Sequence, residues 1–170
     1  VGVVIEVNAE TDFVAKNAEF QAFVDTCAKT VVEANPADVD ALNACKAVGS
    51  EMTISELTTE KIQTIGENIK IRRFARYEGA VATYIHAGGK IGVLVNLEVA
   101  DELKTNETVI NLGKDLAMQI AAMNPAYVCS EEVPAEEVEK EKAVQLAKAL
   151  EENASNTKMP EEKKQMIAEK

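Results

Sequence analysis

The chain has 170 residues, 46% hydrophobic and 28% charged, with no Trp and only 4% aromatics; it can bury one good core, or two small ones, made of Val, Ile, Leu and Ala. Eighteen basic against twenty-nine acidic residues leave a net charge of −11, a surface that repels phosphate backbones and argues against nucleic acid as the main ligand. No apolar run reaches the ~20 residues that cross a bilayer, and Cys27, Cys45 and Cys129 with a single His fit neither a zinc site nor a disulfide framework, which points to a reducing compartment.

Residues 1–8 alternate Val3, Ile5 and Val7 against Gly2, Val4, Glu6 and Asn8, the pattern of a strand with one wet face. No signal peptide opens the chain and Val1 already stands in a strand-like run, so the expectation is a fragment whose natural N-terminal part is absent. A helix is predicted from Asn17 to Ala34, with Phe20, Val24, Cys27 and Val31 at helical spacing. Asn35-Pro36 ends it, because the residue before proline is pushed out of the α region. A weaker helix covers Val39 to Val48, stopping near Gly49. Ser55 or Thr59 caps a third, with Leu57, Ile62 and Ile65 as its apolar side and Gly66 at its end. Residues 68–78 are β-like, but the alternation slips between Ile71 and Phe74, which a bulge near Arg72-Arg73 explains.

The clearest hairpin follows: Val81 to His86 and Lys90 to Glu98 flank Ala87-Gly88-Gly89, whose glycines supply the positive φ of a tight reversal. Ile91, Val93, Val95 and Leu97 share one face, and Leu94 on the other implies that something covers it. From Asn106 to Met123, the residues Val109, Leu112, Leu116, Ile120 and Met123 form an apolar helical stripe closed by Asn124-Pro125. Ser130 as cap and Pro134 near the start predict a charged helix to about Glu152. Asn153 to Met159 reads as a turn, and Pro160 opens a second charged helix; the pair suggests a helical hairpin projecting into solvent.

Few residues offer chemistry. Glu6, Glu10 and Asp12 would serve as paired carboxylates, but no second His or nucleophile stands near them in sequence, and the plainer reading is surface acids beside a helix start. Gly88-Gly89-Lys90 lacks phosphate-loop spacing and leads into a strand, so it reads as a turn. His86 alone reads as a solvated loop residue, and Arg72, Arg73 and Arg76 form the one basic cluster, paired with neighbouring acids. Phe13 admits two readings. It lies seven residues before Phe20, so a helix beginning at Thr11 puts both rings in the core, whereas a helix beginning at Asn17 leaves Thr11 to Ala15 as a corner with Phe13 outward.

The run VIEVNAETDFVAKNAEFQAF closely resembles a signature of the bacterial and organellar elongation factor Ts family. YIHAGGKIGVLVNLE is similar to that family's other signature, IGENIKIRR matches a third stretch, and VPAEEVEKE with the later IAEK resembles its coiled-coil hairpin. The likeness runs in order across essentially the whole chain. It implies an α+β fold: two small antiparallel-sheet-plus-helix subdomains, an N-terminal one over 1–78 and a C-terminal one over 79–133, with a projecting charged helical (coiled-coil) hairpin over 134–170 whose second arm is truncated. Family members usually begin with a small helical module that this chain lacks, and the turn Ala87-Gly88-Gly89 is longer than in some members.

The resemblance further implies a guanine nucleotide exchange factor for the GTPase elongation factor Tu: no enzyme of covalent chemistry, no cofactor and no metal of its own. Asp12, Phe13, Val14 and Ala15, with Thr11 beside them, match the segment that disturbs the Mg²⁺ site of the GTPase, with Phe13 as the inserted ring. Ile65, Gly66, Glu67 and Asn68 match a stretch near its nucleotide domain, and His86 a hairpin residue facing another domain. Asp12 would hold the corner by capping, or repel the metal's carboxylate surroundings. The implied location is cytoplasmic, or a mitochondrion or plastid if the source is organellar, with no membrane and no direct nucleic-acid contact. Two other classes stand beside this reading: a non-catalytic scaffold or homodimer using hairpin 90–98 and the helical arm, and a hydrolase using Glu10, Asp12 and His86.

Overall fold

The computed structural model describes residues 1–154; the second helical arm expected from Pro160 lies outside them. Two units are distinct, Val1–Asn124 and the stretch from Pro125 onward. In the first, strand β1 (Gly2–Asn8) leads through a corner and a one-turn helix α1 (Asp12–Ala15) into α2 (Ala18–Ala34), followed by α3 (Val39–Ala44) and α4 (Ile54–Ile65). Then come β2 (Lys70–Tyr77), β3 (Ala80–His86), β4 (Ile91–Leu97) and α5 (Glu107–Met123). β1 pairs antiparallel with β2, and β3 with β4, giving two small two-stranded sheets. The fold is α+β, as the resemblance implies.

Phe20, Phe23, Cys27 and Val31 of α2, Leu42 of α3 and Ile54 of α4 are buried together, and Val3, Ile5 and Val7 of β1 pack against them. Thr30 is the one buried polar residue in this region; its hydroxyl donates to Thr26 O and accepts the Val48 amide at 3.1 Å, so both hydrogen-bonding roles of that hydroxyl are filled inside the apolar interior. The other face of β1 is not wet at its start. A Cβ on Gly92 would stand 2.8 Å from Val4 Cγ2, and one on Gly2 would stand 2.8 Å from Leu94 Cδ1. The second sheet therefore lies on that face, and β1 is the cover that Leu94 required. Helix α5 packs on the opposite face of β3–β4.

α2 and α5 are built alike. Each has 17 residues, an Asn N-cap whose side chain accepts two amides, and an exit Asn in the left-handed region before a proline. α3 stops at Ala44, short of the expected Val48, because the chain then turns into a bridge pairing Lys46 with Thr53. Neither Ser55 nor Thr59 caps α4. Thr53 does, in a capping box with Glu56, and the amides left free at a helix start make this reciprocal pair the better solution. Ser130 likewise opens only the single turn Ser130–Glu132. In the second unit α6 (Ala135–Ala154) begins after Pro134 and outlasts its expected end at Glu152; Lys140–Glu136 and Lys142–Glu139 pairs lace its surface.

The buried side of α5 is not the stripe of large residues. Gly113 and Ala117 are its buried positions, while Leu112, Leu116, Ile120 and Met123 are exposed. Close approach decides this: a Cβ on Gly113 would stand 2.8 Å from the Cβ of Ala82, so only a line of small residues lets the helix rest on the sheet. The turn between β3 and β4 goes further into left-handed space than glycine requires, with Ala87 at φ 51° beside Gly88 at 67° and Gly89 at 96°.

The slip anticipated near Arg72-Arg73 is a bulge at Arg72, since Glu6 pairs with Arg73 and Val7 with Ile71. An extra residue in one strand breaks the alternation of faces, so both guanidinium groups reach one acid: Arg72 Nη1 to Glu6 Oε1 at 2.8 Å and Arg73 Nε to Glu6 Oε2 at 2.7 Å. The hydrogen bonds from Arg72, then Arg73, hold the Glu6 carboxyl below its ordinary value of 4.5.

Two outcomes follow from this packing. Gly113→Ala should destabilise the protein by about 1–3 kcal/mol in chemical unfolding, because overpacking outweighs the gain of up to about 1 kcal/mol that alanine brings to a free helix. A carboxyl lowered on folding contributes stability above its ordinary value and loses it in acid. Melting temperature should therefore fall as pH drops below 4.5, and Glu6→Gln should flatten part of that fall.

Candidate functional site

The turn from β1 into α1 carries two helix caps in seven residues. Thr11 is extended, and its Oγ1 accepts the Val14 amide at 3.4 Å. Lys16 and Asn17 amides close on the carbonyls of Phe13 and Val14, and Asn17 then caps α2 by accepting from Glu19 and Phe20. Because a second cap interrupts the helix, Phe13 and Phe20 do not share a helical face. Phe20 is 6% exposed and Phe13 is 82% exposed. The core reading of Phe13 is thereby overturned, and the corner reading holds.

Val14, the next residue, is buried in the core at 8% exposure, so it anchors the turn and leaves its neighbour outside. Of the matched segment, then, Asp12 and Phe13 are exposed, Ala15 is half-buried and Val14 faces inward. Asp12 does not cap the corner; Thr11 does. Asp12 pairs with Lys16 at 3.2 Å, and the Lys16 hydrogen bond, then the Lys16 and Lys90 charges, hold its carboxyl below the ordinary range.

Glu67 joins this corner from 56 residues away. Its Oε2 accepts the amides of Glu10 at 3.1 Å and Thr11 at 3.0 Å, and its Oε1 accepts the Thr11 hydroxyl at 2.6 Å. The backbone before it makes the reach possible: α4 ends at Gly66 in the left-handed conformation, which turns the chain back toward β1. Ile65 packs on the core, while Gly66 and Asn68 are exposed and Glu67 is half-buried. The structure thus brings the 11–15 and 65–68 segments together. Composition gave no sign of this contact, yet the pairing does: extending the Asn8↔Lys70 register by three residues sets Thr11 opposite Glu67.

His86 ends β3, exposed, with its Nδ1 2.9 Å from the Tyr84 hydroxyl and the two rings 5.7 Å apart. Tyr84 was not singled out by sequence; its position two residues before His86 in a strand, hence on the same face, is the available signal. An open cleft of about 1150 Å³ runs from Asp12 and Lys16 past Arg73 to the turn at Gly88–Lys90, so the corner and the hairpin turn border one depression. His86 is bonded to Tyr84 rather than to Glu10 or Asp12, and among the described residues no group of three His, Cys, Asp or Glu is placed to hold a metal. Burial pushes the Cys27 thiol up to about 12, which makes it a packing residue and not a nucleophile.

Truncating an exposed ring removes almost no packing. Phe13→Ala should change unfolding free energy by less than about 0.5 kcal/mol, whereas Phe23→Ala, at 2% exposure, should cost about 3–5 kcal/mol in the same denaturation experiment.

Residues 10–170 match the family model described as Elongation factor TS. The Elongation factor Ts of Syntrophotalea carbinolica is 55% identical over 153 residues, covering 88% of this chain and 50% of that protein. That of Herminiimonas arsenicoxydans is 48% identical over 153 residues, 89% of this chain and 48% of its own, and that of Trichlorobacter lovleyi is 46% identical over 156 residues, covering 88% and 50%. The chain spans about half the length of the curated relatives it matches.

Proposed function

The chain belongs to the elongation factor Ts family, and we propose that it acts in translation elongation as a guanine nucleotide exchange factor for elongation factor Tu. The observation that carries this reading is Phe13, 82% exposed on a turn braced by two caps and a buried neighbour. A large ring held rigidly in water has no role in its own fold and suits insertion into another protein. The acidic surface, at net −11, supports a protein partner over nucleic acid, and we place the activity in the cytoplasm.

The mechanism needs no covalent step. GDP in such a GTPase is held by phosphate-loop amides and by Mg²⁺ bridging phosphate to protein. Phe13, pushed between side chains of the GTPase, would shift the elements that carry the metal, and the carboxylate of Asp12 beside it would disfavour the metal's acidic ligands. Ile65, Gly66 and Asn68, chain neighbours of the Glu67 that bonds to the corner, would extend the contact; His86, at the end of β3, would meet a second domain. A partner that binds the nucleotide-free form more tightly must weaken nucleotide binding by the same factor. The scaffold reading uses hairpin 90–98 together with the helical arm; the hairpin packs against β1 on one face and α5 on the other, which leaves it less surface for a second copy.

Release of a fluorescent GDP analogue from elongation factor Tu, measured with and without this chain, is the direct assay. Acceleration by the wild type and a loss of about thirtyfold in Phe13→Ala, the worth of one interfacial aromatic anchor, are the expected results. Unchanged release at saturating concentration of the chain would refute the proposal.

A further inference from the structure

We infer that Glu67 is a positioning residue for Phe13: its carboxylate locks the strand-to-helix corner, and it does not act as a contact to the partner. The inference rests on the exchange reading but departs from the role the family motif suggests for this residue. Three of the acceptor positions of the carboxylate are taken internally, by the Glu10 amide, the Thr11 amide and the Thr11 hydroxyl. A carboxylate so engaged has little left to offer an incoming protein. The same Thr11 hydroxyl accepts the Val14 amide, so the chain of bonds runs from Glu67 through Thr11 to Val14 and spans Phe13 from both sides.

The physical need is clear. Glu10 and Thr11 lie past the last β1–β2 pair, and their amides have no strand partner. Without an acceptor from another element, Glu10 and Thr11 would hang between Ala9 and Val14, the nearest residues packed on the core, and a one-turn helix does not hold its own start. With Glu67 in place the ring is carried between two fixed points, which lowers the ordering cost of insertion. Rigid support matters because small displacements of a group that must fit a site are costly.

The test uses Glu67→Ala and Glu67→Gln in the full chain. Amide hydrogen exchange of the free protein should speed up at Glu10 and Thr11 in Glu67→Ala while the α2 core stays protected. Glu67→Gln, which keeps one acceptor oxygen, should show a smaller effect, and it serves if the alanine variant fails to fold. Stimulated GDP release at saturating factor should drop on the order of tenfold in Glu67→Ala. In a Phe13→Ala background the further loss should vanish, since Glu67 acts through that ring. Additive losses, or a raised half-saturation with an unchanged maximal rate, would make Glu67 a direct contact and overturn the inference, as would unaltered exchange at both amides. Absence of any wild-type stimulation would sink the exchange reading alone, because the amide measurement judges the lock without a partner.

Discussion

β1 is a strand with no free face along its first half, and that constraint organises the larger unit. Val3, Ile5 and Val7 enter the core beneath α2 and α4, while Gly2 and Val4 press against Leu94 and Gly92 of the second sheet. Helices, sheet, sheet and helix therefore stack in four layers, and β1 of the first sheet meets both the helices and the second sheet. A strand gripped on both sides leads along a fixed path toward the corner at Thr11–Asn17, where the Glu67 carboxylate takes over from the strand pairing.

The small residues in this arrangement are structural statements. Gly2, Gly92 and Gly113 each occupy a position where a methyl group would meet a neighbour at 2.8 Å. Close approach of layers explains why α5 turns Gly113 and Ala117 inward and keeps its leucines at the rim. Interiors are packed to the density of solids, so a helix settles where its outline permits, not where its largest side chains would gain most area.

Much of this was legible in the chain. Both long helices, the hairpin, the bulge near Arg72 and the Asn-Pro exits follow from local rules on periodicity, proline and capping. The misreadings have two causes: caps were placed a residue or two astray, as at Thr53, and packing faces depended on residues distant in sequence. The second face of β1 read as wet because the sheet that covers it lies some eighty positions onward; α5 read by hydrophobicity points the wrong side at its sheet. Phe13 was undecidable from spacing because one cap, Asn17, settles whether a single helix runs through it. The motif resemblance singles out residues 11–15 and 65–68, and the folded chain adds that Val14 faces in, Thr11 rather than Asp12 caps, and Glu67 bonds back to the corner.

The exposure of the Phe13 ring, 82%, also bears on self-association. Its sequence neighbours Glu10, Thr11, Asp12 and Lys16 are polar and exposed, so the ring stands alone on its own turn, and exposed Ile85 and Ile91 line the cleft beyond it. Single apolar residues of this kind do not glue molecules together, whereas wide apolar patches do. A lone ring offers too little apolar area to hold two copies of the chain together through this corner, although it is large enough to fill a small pocket on another surface.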